Sequence, residues 1–332
     1  MTRPRFLPDN FMLLMIATVI SASFFPCSGV TAQAFNVVTN IAICLLFFLH
    51  GAKLPREAVV AGITHWRLHL TVLACTFVIL PLLGLMLKPL VSGLVTPDLY
   101  LGVLFVCVLP STVQSSIAFT SVARGNLPAA VCAASASNLL GIFLTPVLVG
   151  LLVVAHAGNS SSFDAIRNIA LQLLLPFIAG QIARRWIGAW IASAKTLVKA
   201  VDQGSILLVV YTAFSEAVNQ GLWQQLPGHS LAGLVVIDAL LLGLIMVIAT
   251  FGSRLLGFNK EDEITIVFCG SKKSLASGIP MAKILFAGPA LGAVVLPLML
   301  FHQIQLMVCA VLAQRYAQRP QLDGDIAVPG RI

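Results

Sequence analysis

Ten stretches of mostly apolar residues follow one another along the chain, near 11–28, 33–52, 69–88, 99–121, 127–155, 166–186, 203–222, 231–253, 262–286 and 289–314. A helix needs about 20 such residues to cross the hydrocarbon core of a bilayer. In lipid the backbone must also satisfy its own hydrogen bonds. Each stretch therefore predicts a transmembrane α-helix, and the fold class is an all-α integral membrane protein. The polar segment His156–Arg167, with Asn159, Ser160, Ser161 and Ser162, separates two groups of five. We read 11–155 as a first five-helix repeat, 166–314 as a second, and 315–332 as a cytoplasmic tail of a single transporter unit.

An odd number of spans per half has a topological consequence. Two halves that share a fold are then inserted in opposite orientations, as in the inverted repeats of many secondary transporters. Two matching segments support this at the level of pattern. Leu104–Ser116 and Ile264–Ser274 both start apolar and turn abruptly polar. Each is followed by a short break, Gly125-Asn126-Leu127-Pro128 in one half and Gly288-Pro289 in the other, and then by another long apolar run. Arg3 and Arg5 before an apolar run, with Thr31-Ala32-Gln33-Ala34 downstream, also resemble a secretory signal. The run from Phe11 to Phe25 is long, however, and ten spans require it to stay.

Composition agrees. Of 332 residues, 58% are hydrophobic and only 10% charged, whereas soluble domains carry about 25% charged residues. This excludes a cytosolic enzyme, a nucleic-acid-binding module and a disordered chain. The net charge of +8 does not signal a polyanionic partner, because the basic residues are distributed by side. With the N-terminus inside, 15 of the 20 Lys and Arg residues fall in cytoplasmic segments, from Arg3 to Arg331. Lys88, Arg167 and Lys283 fall opposite, and Lys272 and Lys273 lie within a span. That bias places both termini in the cytoplasm. A bacterial inner membrane is the expected location. The seven cysteines lie scattered in apolar runs without CxxC spacing and read as small buried hydrophobes.

Polar residues inside spans need protein or trapped water around them. Pro110-Ser111-Thr112-Val113-Gln114-Ser115-Ser116 sets a helix-breaking proline before five hydrogen-bonding side chains. Either the fourth span is broken near mid-membrane and faces a cavity, or a kinked helix makes a Ser/Thr-lined contact. Gly270-Ser271-Lys272-Lys273-Ser274 puts two ammonium groups into the ninth span. A lysine at the centre of a lone span costs about 2.5–3.5 kcal/mol on insertion scales. The pair marks a buried binding or coupling site unless the span begins later and the lysines lie at the surface. Glu216 and Asp238 are possible partners for these lysines, and His302, Gln303 and Gln305 lend polarity to the tenth span. Ser277-Gly278 lacks the GxSG pattern of an intramembrane serine protease, and no enzyme activity or cofactor is expected.

At these two spans the chain resembles the bile acid:sodium symporter family (solute carrier family 10), in a divergent branch similar to the member-seven type. The resemblance is carried by Ser115–Asn126, which includes Ala123-Arg124-Gly125-Asn126, by Leu139-Leu140 with Leu144-Thr145-Pro146, and by Phe268–Ala276. It implies ten spans in two inverted repeats, with broken fourth and ninth helices that cross. It also implies a core of spans three, four, five, eight, nine and ten and a panel of spans one, two, six and seven, with substrate between them.

The resemblance further implies two sodium ions beside the crossing. The fourth-span sodium ligands fall on Ser115 and Ser116, the fifth-span hydroxyls near Ala130 and Ala134 with Ser135 and Ser137 as substitutes, and a third-span glutamine on Thr76. Two positions depart from the family. Phe268 stands where the family has a sodium-ligating glutamate, and Lys272 where it has a glutamine. Loss of the carboxylate and gain of an ammonium both disfavour Na⁺ at contact distance. Two roles for the lysines remain open. The Lys272 ammonium replaces a bound cation, which makes a proton the other candidate coupling ion beside sodium, or Lys272 and Lys273 bind an anionic substrate at the half-helix N-terminus.

The expected function is secondary active transport of a small organic anion by alternating access. The alternatives are a channel, or a regulatory membrane protein that has lost transport. The expected site comprises Gln114, Ser115, Ser116, Lys272, Lys273 and Ser274, with Thr112, Thr76, Ser135, Asn138 and His302 behind them.

Overall fold

The computed structural model describes residues 10–53, 65–91, 93–154, 162–225, 228–286 and 290–319. The linker 156–161, the Gly288-Pro289 break and most of the 315–332 tail lie outside them. Among the described residues every regular element is a helix. We number the longer ones α1 (Asn10–Phe24), α2 (Gly29–Lys53), α3 (Trp66–Met86), α4 (Pro97–Val108), α5 (Val113–Val122) and α6 (Leu127–Leu148). In the second half they are α7 (Ser162–Ser193), α8 (Lys195–Asn219), α9 (Gly228–Leu255), α10 (Lys260–Gly270), α11 (Leu275–Leu285) and α12 (Ala290–Ala317).

Six of these helices (α2, α3, α6, α8, α9 and α12) are long and apolar enough to cross a membrane, and α4 with α5 makes a seventh as a pair bent by 63°. The sequence pattern expects ten, and the difference has identifiable sources. The first apolar stretch forms a helix of only 15 residues. The sixth lies within the 32-residue α7, whose residues 162–173 are described in backbone only. The ninth is divided into two helices of 11 residues each, with Ser271–Ser274 between them. The outer surface is apolar, with Phe24, Phe25, Leu70, Val236, Phe251 and Leu255 all exposed. An apolar surface on this scale needs lipid around it.

The helices pack as two groups. In one, α2 runs along α7, and α8 packs on both α1 and α2. The α2–α7 contact depends on two glycines that let the backbones approach. A Cβ on Gly180 would lie 1.9 Å from the Phe48 carbonyl oxygen, and one on Gly51 would lie 2.1 Å from that of Phe177. Small residues at such crossings are how membrane helices gain dispersion contact where lipid already satisfies hydrophobicity. The other group contains α3–α6 and α9–α12, with α4 against α12, α5 against α6 and α9 against α10. The two groups also meet, α8 packing on α11 and α12 and α7 on α6.

Short polar loops fix the two half-helices that enter the core. Arg124 takes a left-handed conformation, φ 56°, in the Ala-Arg-Gly-Asn turn that ends α5. The next residue must be small, since a Cβ on Gly125 would lie 2.8 Å from the Ile264 side chain on α10. Asn126 then caps α6 by accepting from the Ala129 N–H, and its amide donates to Asp262 at 2.8 Å. Asn259 caps α10 in turn by accepting from the Asp262 N–H. Glu261, Asp262 and Glu263 in the first turn of α10 suit the positive end of its dipole. The family-like tract thus ties the exit of one broken helix to the entrance of the other.

Candidate functional site

The two breaks touch. The Ser274 N–H donates to the Pro110 carbonyl at 2.8 Å, joining the segment Leu109–Thr112 to the segment Ser271–Ser274. Pro110 lacks an N–H, so the turn at the end of α4 cannot continue. The polar side chains on either side serve the exposed backbone. Ser137 accepts from the Ser111 N–H at 3.0 Å, and Thr145 donates to the Val108 carbonyl at 2.9 Å. The Ser116 hydroxyl donates to the Phe268 carbonyl at 3.2 Å, and Thr112 shares a hydrogen bond of 2.7 Å with Ser115. Ser274 caps α11, and Ser277 donates to Asn138 at 2.9 Å.

Both lysines are fully buried. The Lys272 ammonium donates to the Ser115 carbonyl at 2.8 Å and sits 4.0 Å from the ring centre of Phe119 and 5.4 Å from that of Phe268. Aromatic faces attract a cation through their quadrupole, and more strongly away from water. Lys273 is held differently. Its ammonium donates to three main-chain carbonyls, those of Thr76 (2.8 Å), Cys107 (2.7 Å) and Leu109 (2.6 Å). Its own peptide is clamped by Gln305, which accepts from the Lys273 N–H at 2.9 Å and donates to the Lys273 carbonyl at 3.0 Å. That fixes the Gln305 amide, whose nitrogen also donates to Nδ1 of His302 at 2.8 Å.

Of the residues expected at the site, Thr112, Ser115, Ser116, Lys272, Lys273, Ser274, Asn138 and His302 gather around the two breaks. Thr76 joins them through its carbonyl only, because its hydroxyl donates to Val72 within its own helix. Ser135 is half-buried on α6, its hydroxyl without a hydrogen bond to any described residue, and Ser137 is the serine that meets the break. Gln114 points away from the breaks and lines a cavity of about 680 Å³ bounded by Lys53, Arg184 and Lys199 with Asp202. This cavity lies where α2, α7 and α8 face the first turn of α5, and Lys53 and Asp202 form an ion pair across it.

The carboxylates considered as partners are engaged elsewhere or alone. Glu216 faces Lys283 at 3.6 Å, and neither oxygen of the buried Asp238 has a hydrogen-bond partner. Sequence reasoning also left Gln305, Phe119 and the carbonyls of Cys107 and Leu109 out of the site. Gln305 could have been found by asking which buried amide satisfies a broken backbone.

A family model for SBF-like CPA transporters matches residues 9–318. The chain belongs to that family. An uncharacterised protein of Pseudomonas aeruginosa is 68% identical over 319 residues, 96% of either chain. YfeH of Escherichia coli, whose designation as a symporter is provisional, is 56% identical over 94% of both chains. Sodium/bile acid cotransporter 7 of the rat is 29% identical over 309 residues, 91% of this chain and 90% of its own. The protein is therefore an integral membrane transporter of the bile acid:sodium symporter type, and not an enzyme.

Proposed function

We propose that this transporter moves a small organic anion by alternating access and does so without the sodium ions typical of its wider family. The observation that carries the anion is the cavity of about 680 Å³ between the α2–α7–α8 group and α5. Three basic residues and one carboxylate line it, which leaves excess positive charge, and the first turn of α5 contributes the positive end of a helix dipole. Gln114 at its inner wall supplies neutral hydrogen-bonding groups. A site at the junction of two helix groups is suited to opening on either side as one group rocks against the other.

The chain would carry this out as ten spans in two inverted repeats, 11–155 and 166–314, as one transporter unit. Both termini and the tail 315–332 would lie on the cytoplasmic side of a bacterial inner membrane. The 15-residue α1 and the divided α10–α11 pair count as the first and ninth spans in this reading.

The change of coupling is supported by Lys272. Its ammonium holds the Ser115 carbonyl beside the position where the family implies a sodium ion. Phe268 offers no carboxylate, and Ala130 and Ala134 offer no hydroxyls to compensate. Sodium needs several oxygens to replace its water, and at the Ser115 carbonyl it would meet the Lys272 ammonium, a like charge at hydrogen-bond distance from the same oxygen. A tethered ammonium would keep the two broken helices joined, and a proton on that ammonium is the coupling ion left available.

The test is uptake of labelled organic anions by proteoliposomes, with imposed Na⁺ or pH gradients. Saturable uptake that shows counterflow and is driven by the pH gradient alone supports the reading. Uptake driven by Na⁺ overturns the coupling. Unsaturable flux without counterflow would point to a channel, and absence of flux for every anion tried would favour a regulatory role.

A further inference from the structure

We propose that the three carbonyls around Lys273 form a monovalent-cation site which the lysine side chain itself fills, and that shortening this side chain opens the site to ammonium or Na⁺ from solution. The oxygen set is built by the backbone alone. Thr76 contributes from the π-helical segment Cys75–Ile79, where the wider turn disrupts the regular pattern of carbonyl pairing. Cys107 and Leu109 contribute from the end of α4, where Pro110 removes a donor and the last carbonyls of a helix have no intrahelical partner. The three oxygens converge on one nitrogen at 2.6–2.8 Å.

Among the described residues no carboxylate takes part. Glu216 faces Lys283, and the carboxylate of Asp238 has no hydrogen-bond partner among the described residues. The charge of the buried ammonium is met by carbonyl dipoles and by the negative end of the α4 helix, which is how proteins bind monovalent cations in filters. The set contains no side-chain oxygen, although Thr76 is also the position on which the family resemblance sets a glutamine; its contribution here is the carbonyl. Lys272 is not equivalent, because its ammonium touches one carbonyl and two rings.

The site is also built to survive loss of the side chain. The main chain of Lys273 is clamped on both sides by Gln305, and the next residue is tied to Pro110. Truncation would leave three inward carbonyls around a void rather than a collapsed loop. This deepens the coupling reading above, since a cation tethered to the protein cannot be released with the substrate. Its test reads binding rather than transport, so the two can fail separately.

The experiment compares thermal midpoints of purified wild type, Lys273→Ala and Lys273→Ser in the chlorides of choline, Na⁺, K⁺, ammonium and methylammonium at constant ionic strength. Serine is the second variant because its hydroxyl adds an oxygen to the emptied site. Both variants are expected to melt lower than wild type in choline and to regain a large part of the loss, saturably, in ammonium, methylammonium or Na⁺. Wild type should be indifferent to the cation. Equal stabilisation of wild type overturns the proposal. So does the absence of cation-dependent recovery in both variants, including their failure to fold in every salt.

Discussion

The ammonium of Lys272 and the carbonyl of Ser115 meet at 2.8 Å, although 157 positions separate them in the chain. One belongs to the break of the ninth apolar stretch and the other to the helix after the break of the fourth. Phe119 lies on the face of that ammonium at 4.0 Å. The contact joins two interruptions that would each be costly in lipid, and each supplies what the other lacks.

Replacing Lys272 by Met keeps much of the apolar stem and removes the charge. The Ser115 carbonyl would then lose a hydrogen bond from a charged donor, worth about 1.5–3 kcal/mol. The attraction to the rings adds roughly 0.5–2 kcal/mol. A lower thermal midpoint and slower uptake are expected, measured by a melting assay and in proteoliposomes.

Gln305→Leu removes both hydrogen bonds to the Lys273 peptide at almost constant volume. Two buried backbone groups are left unpaired, so a loss of about 2–6 kcal/mol is expected. Gln305→Glu retains the acceptor for the Lys273 N–H and loses the donor, so its melting temperature should lie between those of wild type and the leucine variant.

Gly180→Ala places a methyl group 1.9 Å from the Phe48 carbonyl. Alanine is the better helix former by about 1 kcal/mol. Overpacking of a tight contact costs typically about 1–3 kcal/mol, and backbone cannot swing aside as a side chain can. Net destabilisation is expected, whereas Gly243→Ala, with nothing near its Cβ, should be neutral or stabilising in the same melting assay.

Lys199→Glu reverses one charge in the cavity beside Gln114 and leaves the crossing untouched. A raised KM for anions with a smaller change in kcat is expected, and a weaker effect at high salt because exposed charges are screened. Initial uptake rates across substrate and salt concentrations check this.

Asn126→Ala removes the cap of α6, worth about 0.5–2 kcal/mol, together with the hydrogen bond to Asp262. Asn126→Asp keeps a capping acceptor but sets a carboxylate against Asp262. Both variants should melt below wild type, and the aspartate should be the more sensitive to salt.

Much of this arrangement was legible in the sequence because it violates the rules of lipid. Pro110 followed by hydroxyls, and two lysines within an apolar run, stand out against a background with few charges. The structure bends the chain by 63° at the first and divides the helix at the second. What holds the lysines was not legible. Their partners are carbonyls, which every residue carries, so Cys107 and Leu109 give no signal and Thr76 stood out only as the position of a family glutamine. Acidic side chains are the visible candidates in a sequence, which is why Asp238 and Glu216 were considered. Backbone released by a proline and by a π-helical segment took the role instead. Gln114 illustrates a finer limit. It adjoins Ser115, but a rotation of about 100° per residue turns it away from the crossing and toward the basic cavity.

If Lys272 stands where a coupling sodium would, the thermal stability of the wild-type protein is independent of Na⁺. A ligand at 100 times its Kd stabilises by about 2.7 kcal/mol, so occupancy by Na⁺ is visible in the melting temperature. With Na⁺ exchanged for choline at fixed ionic strength, the account predicts an unchanged midpoint across the series. A midpoint that rises selectively and saturably with Na⁺ would contradict it and return the protein to sodium coupling.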